Sequence, residues 1–142
     1  MKTVALVALL ALAAQPLAAQ KREAIIPTGM RASATLTPGI RVGNIVYASG
    51  QLGTRSDTTV GQQTRTALEN TKRVFEAAGT TMAHALKCTV FLIDVKDFGA
   101  MNQAYSEFFP TTPPARSTVV VAALVVPGAK VEIECLAAMP SP

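Results

Sequence analysis

Apolar residues recur along the chain at two different spacings. Between Thr64 and Ala78 they return every three or four positions, which is the spacing of one helix face. This pattern predicts an amphipathic helix over residues 62–78, and Gly79 ends it. A second stripe of the same kind predicts a helix that begins near Asp97, a plausible N-cap. The apolar members of that stripe are Phe98, Met101, Tyr105 and Phe108.

The other apolar runs have the composition of β-strands. Residues 40–42 and 45–50 are separated by Gly43-Asn44, a pair that favours a two-residue hairpin connection. Three further runs are rich in β-branched or aromatic residues, and they span residues 85–94, 118–124 and 130–138. The polar lead over residues 20–39 is expected to be irregular. The element order is then β-β-α-β-α-β-β, which favours an α+β sandwich.

Two of the predicted strands are apolar on successive residues. They are the runs at 87–93 and 118–124, and such runs indicate strands that are buried on both faces. Two helices can cover only one face of the sheet. Association of subunits is therefore the expected cover for the other face.

The first nineteen residues differ from the rest of the chain. They contain Lys2, an apolar run from Val4 to Ala14 and a stretch of small residues before Ala19. This is the pattern of a secretory signal peptide, and the run is shorter than the roughly 20 residues that span a bilayer. The expectation is a signal peptide over residues 1–19, a single domain over 20–142, and a periplasmic or secreted protein without membrane attachment.

The composition of the chain limits which cofactors and partners are expected. The chain has 142 residues, a formal net charge of +4 and 49% hydrophobic residues, as in globular proteins. One histidine, His84, and two distant cysteines match no zinc spacing, so neither a metal nor a cofactor is expected. Whether Cys88 and Cys135 form a disulfide stays open, because bonding requires adjacent strands. Lysine and arginine are scattered without an aromatic platform, so nucleic acid is not an expected partner.

Six segments, in order from Val42 to Ala138, resemble the Rid family, whose members are also called YjgF-type proteins. They are ASGQLG (48–53), QTRTALENTKRVFEAAG (63–79), CTVFLIDVKDF (88–98), MNQAYSEFF (101–109), PPARSTVVVAAL (113–124) and KVEIECLAA (130–138). The resemblance implies a chorismate-mutase-like α+β fold and a homotrimer with small-molecule sites in the clefts between subunits. It also implies an enzyme that hydrolyses 2-imino acids, such as 2-iminobutanoate and 2-iminopropanoate, to 2-keto acids and ammonia.

Two charged residues are the candidates for catalysis. An imino-acid site must hold a carboxylate, and Arg116 offers a two-pronged donor that stays charged at any working pH. The resemblance assigns this role to Arg116 in the PARST motif. It also matches Glu132 to the glutamate that positions water, where a carboxylate could move protons. Alternation along the strand puts Glu132 and Glu134 on one face, and Glu134 is expected only to be solvated.

Further positions match the lining of the cleft, and some depart from the family pattern. The substrate-binding matches are Ser49, Gly50, Gln51, Asn102 and the backbone of Thr118. A helix-capping or packing role suits Asn102 nearly as well. Val120 replaces a usual glutamate, Leu36 a usual tyrosine, and one extra residue separates Arg116 from Glu132. The substrate therefore need not be a short imino acid.

Two classes of function follow from these residues. The first is hydrolytic deamination of enamines or imines. The alternative is a noncatalytic trimer that binds small carboxylates or acts as a holdase. Ribonuclease activity, which the family resemblance also raises, has little support, because the chain has no second histidine for acid-base chemistry on RNA.

Overall fold

The structure is a computed structural model and describes residues 20–141. The predicted signal peptide therefore lies outside the described residues. The strands are β1 (Arg22–Ile25), β2 (Gly39–Val42), β3 (Ile45–Leu52), β4 (Ala85–Leu92), β5 (Ala115–Val120) and β6 (Val131–Ala138). The helices are α1 (Val60–Ala77) and α2 (Phe98–Ser106), and short 3-10 turns at Met82–His84 and Val95–Asp97 precede β4 and α2.

The six strands form one sheet in the order β1-β2-β3-β6-β4-β5. All neighbours are antiparallel except β4 and β5, which are parallel and are connected through α2. Helix α1 packs on β3 and β6 and also contacts α2, so the helices form one layer. The predicted α+β sandwich is confirmed, and β5 is an edge strand of its sheet.

Helix α1 is held by local signals that the sequence displays. Thr59 is the N-cap and forms a capping box with Gln62. The helix ends before Gly79, whose φ of 87° suits glycine. The prediction of residues 62–78 is therefore correct to within two residues at each end. The second helix was placed correctly, but the Asp97 side chain makes no capping hydrogen bond.

The core lies between the helices and one face of the sheet. The inward residues of β4 and β6 alternate along each strand, and they are Cys88, Val90, Leu92, Val131, Ile133, Cys135 and Ala137. Cys88 and Cys135 are direct partners in the β4–β6 register and form a disulfide. This bond settles the question that the sequence left open.

The opposite face of the sheet is open in the single chain. Its apolar residues include two cross-strand pairs, Tyr47 with Leu136 and Phe91 with Val119. Tyr47 is 47% exposed and Val119 is 44% exposed. The expectation that β4 and β5 are buried on both faces is thus not met by one chain, because its two helices cover only one face. We call this surface, from Tyr47 to Val119, the open face.

Three local predictions were wrong for identifiable reasons. The strand expected at 118–124 is β5, which begins at Ala115 and ends at Val120, because its partner β4 ends at Leu92. The lead expected to be irregular contains β1, whose mostly exposed residues show no alternation and which is held by backbone pairing to β2. Phe98, expected on the buried stripe of α2, is 43% exposed.

Candidate active site

Arg116 lies on β5, and its side chain points into the helix layer. Its partner in the parallel register is Cys88, a core residue, which fixes that direction. The guanidinium Nη2 donates a hydrogen bond to Asn102 Oδ1 on α2 at 2.7 Å. Its central carbon lies 4.7 Å from the ring centroid of Tyr105 and 5.9 Å from that of Phe98. Strand β5 and helix α2 together therefore fix the guanidinium between two aromatic rings.

Among residues 20–141, no carboxylate pairs with the positive charge of Arg116. Over residues 20–141, the salt bridges are Arg65–Glu107 and Lys72–Glu69, both at the surface. A guanidinium has five N–H donors; here Nη2 donates to Asn102 Oδ1, and Nη1 makes only a long contact of 4.0 Å with Met101 Sδ, a weak acceptor. Arg116 therefore keeps donors that could bind a planar anion in a two-pronged geometry.

A cavity of about 420 Å³ adjoins the guanidinium. Its lining residues are Asn102, Tyr105, Ser106, Phe109, Pro113, Pro114 and Arg116. Tyr105 is buried, and burial raises the pKa of its phenol to about 12 although the charge of Arg116 acts in the opposite direction. Within the described part of the chain, the Tyr105 hydroxyl and Thr118 Oγ1 are buried without a hydrogen-bond partner.

Glu132 lies on the open face and is half-buried. It is the β6 partner of Leu52 on one side and of Phe91 on the other. Burial raises the pKa of the Glu132 carboxyl, and the negative charge of Glu134 raises it further. Glu134 is exposed, as predicted for the second member of the pair. A carboxyl with a raised pKa is better suited to proton transfer than an ordinary one.

The bulge in β3 makes room for this carboxylate. The β3–β6 register shifts between Ala48 and Gln51, so Ser49 and Gly50 form the irregular segment. A Cβ atom at residue 50 would overlap Glu132 Oε1 and would lie 2.9 Å from the carboxyl carbon. Ser49 Oγ donates to the carbonyl of Thr37 at 2.6 Å. Gln51 Nε2 donates to the Ser49 carbonyl at 3.0 Å, so both side chains stabilise the bulge.

The predicted site residues fall into two groups on opposite faces of the sheet. One group lies in the helix layer at the β5 edge and contains Arg116, Asn102 and Thr118. The other lies on the open face and contains Ser49, Gly50 and Glu132. Gln51 is the β6 partner of the core residue Ile133 and so lies on the helix-layer face of β3. Strand β4 separates the strands that carry Arg116 and Glu132. One chain therefore does not bring its own two candidate catalytic residues together.

Tyr105 was not predicted as a site residue. The sequence identified it only as a member of the apolar stripe of α2. Its position three residues after Asn102 was the available signal, because residues three apart share a helix face. The structure places its ring against the Arg116 guanidinium and in the wall of the adjoining cavity.

Residues 20–141 lack two features that would indicate other kinds of site. Neither helix in this region is both long and apolar enough to cross a membrane. The same region contains no group of three or more histidine, cysteine, aspartate or glutamate side chains that could hold a metal ion.

Comparison with known proteins identifies relatives over most of the chain. The sequence profile of the family described as Endoribonuclease L-PSP matches residues 27–139. Reactive Intermediate Deaminase A, a chloroplastic protein of Arabidopsis thaliana, is 38% identical over 77% of this chain and 63% of its own length.

The mitochondrial protein mmf2 of Schizosaccharomyces pombe is 36% identical over 70% of this chain and 83% of its own length. The mitochondrial protein mmf1 of that yeast is 40% identical over 69% of this chain and 64% of its own length. The chain thus spans slightly less than two thirds of mmf1 and of the Arabidopsis protein.

Solved structures agree with these sequence matches. The YjgF gene product of E. coli is 35% identical, and it superposes with a TM-score of 0.73 over 82% of this chain and 98% of that chain. TdcF of E. coli, solved with bound serine, is 34% identical with a TM-score of 0.73 over 82% of this chain and 94% of its own. Each comparison covers more than four fifths of this chain.

The predicted periplasmic or secreted location is contradicted by these relatives. Proteins mmf1 and mmf2 are mitochondrial, and the Arabidopsis deaminase is chloroplastic. The export prediction rested on an apolar N-terminal segment without acidic residues, and lack of acidic residues is also a feature of organelle-targeting segments. That composition was not specific enough, and the prediction was wrong.

The profile match covers most of the chain, and the solved relatives share its fold at 34–35% sequence identity. The chain therefore belongs to the Endoribonuclease L-PSP family, the family of the Rid or YjgF-type proteins.

Proposed function

We propose that the protein is an imine deaminase that hydrolyses 2-imino acids to 2-keto acids and ammonia. The observation that carries the proposal is the Arg116 guanidinium, held by Asn102 beside a cavity without a carboxylate partner in the described residues. A relative named Reactive Intermediate Deaminase A supports this reaction class. The related TdcF was solved with serine, a small molecule that carries a carboxylate.

Arg116 binds the carboxylate of the substrate in this proposal. Its planar fork matches the two carboxylate oxygens, and the rings of Tyr105 and Phe98 pack near its central carbon. Asn102 fixes the orientation of the fork through the 2.7 Å hydrogen bond. The guanidinium is thereby preorganised before the substrate arrives, which reduces the entropic cost of binding.

Glu132 orients the attacking water. As a carboxylate it accepts one proton from the water while the oxygen forms a bond to the imine carbon. It then returns this proton to the nitrogen of the tetrahedral adduct. The proton of the adduct's hydroxyl group also passes through Glu132 to the same nitrogen, so that the carbon–nitrogen bond breaks, ammonia leaves and the ketone forms. One water is consumed for each imine, and the raised pKa of Glu132 suits both the acceptance and the return of the proton.

The two roles require two copies of the chain. Arg116 and Glu132 lie on opposite faces of one sheet, so we propose that a neighbouring subunit brings its Arg116 to the open face. The apolar residues of that face, which include Tyr47 and Val119, would be buried in the association. The proposed assembly is a homotrimer with a site in each of its clefts.

Ribonuclease activity is the rival suggested by the name of the family. His84, the only histidine, shares a hydrogen bond of 3.1 Å between its Nδ1 and Thr81 Oγ1 at the start of β4. It belongs to neither group of site residues. A single histidine engaged in this way does not supply an acid-base pair for RNA cleavage.

The proposal is tested by offering the purified chain imines that an amino-acid oxidase generates in the assay. Release of keto acid is followed against the uncatalysed rate. Arg116→Ala should weaken binding of 2-oxobutanoate by about 2–5 kcal/mol in calorimetry, and Arg116→Lys should restore only part of this. Arg31→Ala, at an exposed arginine outside both groups, is the matched control.

Glu132→Ala separates the deaminase from a noncatalytic carboxylate-binding protein. In a deaminase, this variant should lose turnover while it still binds 2-oxobutanoate. A wild-type chain that binds the keto acid through Arg116 but does not accelerate imine hydrolysis would establish the noncatalytic alternative instead.

A further inference from the structure

We propose that the cavity beside Arg116 is the subsite for the side chain of the bound acid and that it selects large apolar side chains, aromatic or branched. This inference rests on the proposed function, because it takes Arg116 as the carboxylate anchor. It goes further by naming the class of substrate and the residues that select it.

The cavity adjoins the residues that would bind the carboxylate. Arg116 and Asn102 form part of its wall, so it begins where the carboxylate would bind. In a 2-imino or 2-keto acid, the first carbon of the side chain is only two bonds from the carboxyl carbon. A ligand held by the guanidinium must therefore place its side chain within a few bond lengths of the cavity, and about 420 Å³ of space is available there.

The walls of the cavity are mainly apolar. Four of the seven lining residues are aromatic rings or prolines, and they are Tyr105, Phe109, Pro113 and Pro114. The lining includes no acidic residue, so the walls offer no counter-ion to a basic side chain, which Arg116 would also repel. The predominance of ring and proline surface favours an apolar side chain.

The walls are also preformed. Tyr105 is 4% exposed and Phe109 is 7% exposed, and their ring centroids lie 4.8 Å apart. Pro113 and Pro114 restrict the backbone that leads into β5. A rigid apolar cavity binds well only those groups that fill it, since unfilled space gives no contacts.

The volume of the cavity suits a large side chain. Pockets of roughly 300–1,000 Å³ hold drug-sized ligands, and the cavity beside Arg116 falls in this range. The methyl or ethyl group of a short imino acid would leave most of it empty. Each additional buried methylene group should improve affinity about fourfold. A branched four-carbon or benzyl side chain should therefore bind at least about 10-fold more tightly than an ethyl group.

The test compares three keto acids by calorimetry on the full chain: 2-oxobutanoate, 4-methyl-2-oxopentanoate and 2-oxo-3-phenylpropanoate. Ser106 is an exposed cavity residue at the end of α2, so Ser106→Trp fills the cavity from its rim without disturbing the core. Gln103→Trp, at an exposed position of the same helix outside the cavity, is the matched control.

We expect the wild-type chain and Gln103→Trp to bind the two larger acids at least about 10-fold more tightly than 2-oxobutanoate. Ser106→Trp should abolish this preference, because the larger side chains no longer fit the filled cavity. Equal affinities for the three acids, all dependent on Arg116, would overturn the subsite and leave the proposed function standing. A preference that persists in Ser106→Trp would also overturn it. Failure of all three acids to bind would overturn both.

Discussion

The Glu132 carboxylate lies against the α-carbon of Gly50, in space that any other side chain at residue 50 would occupy. Its Oε1 would overlap a Cβ atom built on that glycine. Gly50 does not have a positive φ, so another residue could adopt its backbone conformation. The glycine is therefore required by the position of the glutamate, and a change at residue 50 acts on the carboxylate rather than on the strand.

Gly50→Ala should consequently separate activity from stability. The carboxylate ends a flexible side chain, so it can move away, and we expect the free energy of unfolding to change by less than about 1 kcal/mol. Displacement of the group that positions water should lower imine turnover roughly 100-fold. Gly99→Ala, where a Cβ would meet nothing within 4 Å, is the control. Full turnover in Gly50→Ala would show that Glu132 does not act from its observed position.

The pH dependence of turnover should respond to Glu134. Burial and the charge of Glu134 raise the pKa of Glu132, and Glu132 can accept a proton only above that pKa. The rate should therefore rise with pH through the raised pKa, and Glu134→Gln should move this rise to lower pH. Profiles of kcat/KM from about pH 4 to about pH 8 measure the shift. Glu134→Asp keeps the charge and should retain more of the wild-type profile; identical profiles for wild type and Glu134→Gln would exclude Glu132 as the titrating group.

The buried phenol of Tyr105 should make the fold sensitive to alkaline pH. Its pKa in the folded chain is raised to about 12 by burial, so the unfolded chain releases this proton first. Titration of this phenol leaves stability unchanged below about pH 10 and destabilises the folded chain as pH rises through about 12. Tyr105→Phe keeps the ring beside Arg116 and removes this destabilisation. Urea unfolding measures the free energy of unfolding of both proteins. The value for Tyr105→Phe, relative to wild type, should be higher at about pH 11 than at about pH 9.

A constant difference between the two proteins from pH 9 to pH 11 would show that the Tyr105 phenol is not buried in solution. At neutral pH, Tyr105→Phe should be as stable as wild type or slightly more stable. The reason is that a buried hydroxyl without a partner costs free energy, and phenylalanine removes the hydroxyl while it preserves the packing.

The disulfide should contribute measurably to stability. Cys88 and Cys135 are 47 residues apart in sequence, and closing a loop of this length stabilises the folded state by about 4 kcal/mol in the chain-entropy estimate. Urea unfolding with and without a thiol reductant should show a loss of this order. The double variant Cys88→Ala/Cys135→Ala should not respond to the reductant. Equal midpoints for oxidised and reduced wild-type chains would contradict this prediction.

The parts of the fold that local chemistry determines could be predicted from the sequence. The spacing of apolar residues and Gly79 located α1, and Gly43-Asn44 located the hairpin between β2 and β3. The alternation of Glu132 and Glu134 with Val131 and Ile133 was also correct. Each of these features depends on neighbours in the chain, which a sequence displays directly.

Features that depend on distant partners could not be predicted in the same way. Strand β5 stops at Val120 because β4 ends at Leu92, although the following residues remain apolar. Strand β1 exists because β2 offers it backbone partners. The same limit applies to the site: motifs identified Arg116 and Glu132, but only the register of the sheet shows that they point to opposite faces.

The central claim is that each catalytic site takes Arg116 from one chain and Glu132 from its neighbour. The most direct test mixes two inactive proteins, Arg116→Ala and Glu132→Ala, by refolding equal amounts together. In a trimer with three such sites, random assembly gives mixed trimers in about three quarters of cases, and each contains one complete site.

The mixture should therefore recover about one quarter of the wild-type rate of imine hydrolysis, while each variant refolded alone stays inactive. A chain that carries both substitutions, mixed with either single variant, should recover nothing and serves as the control. If mixing Arg116→Ala with Glu132→Ala restored no activity although mixed trimers had formed, the two residues would not act across a subunit boundary, and the proposed site would be wrong.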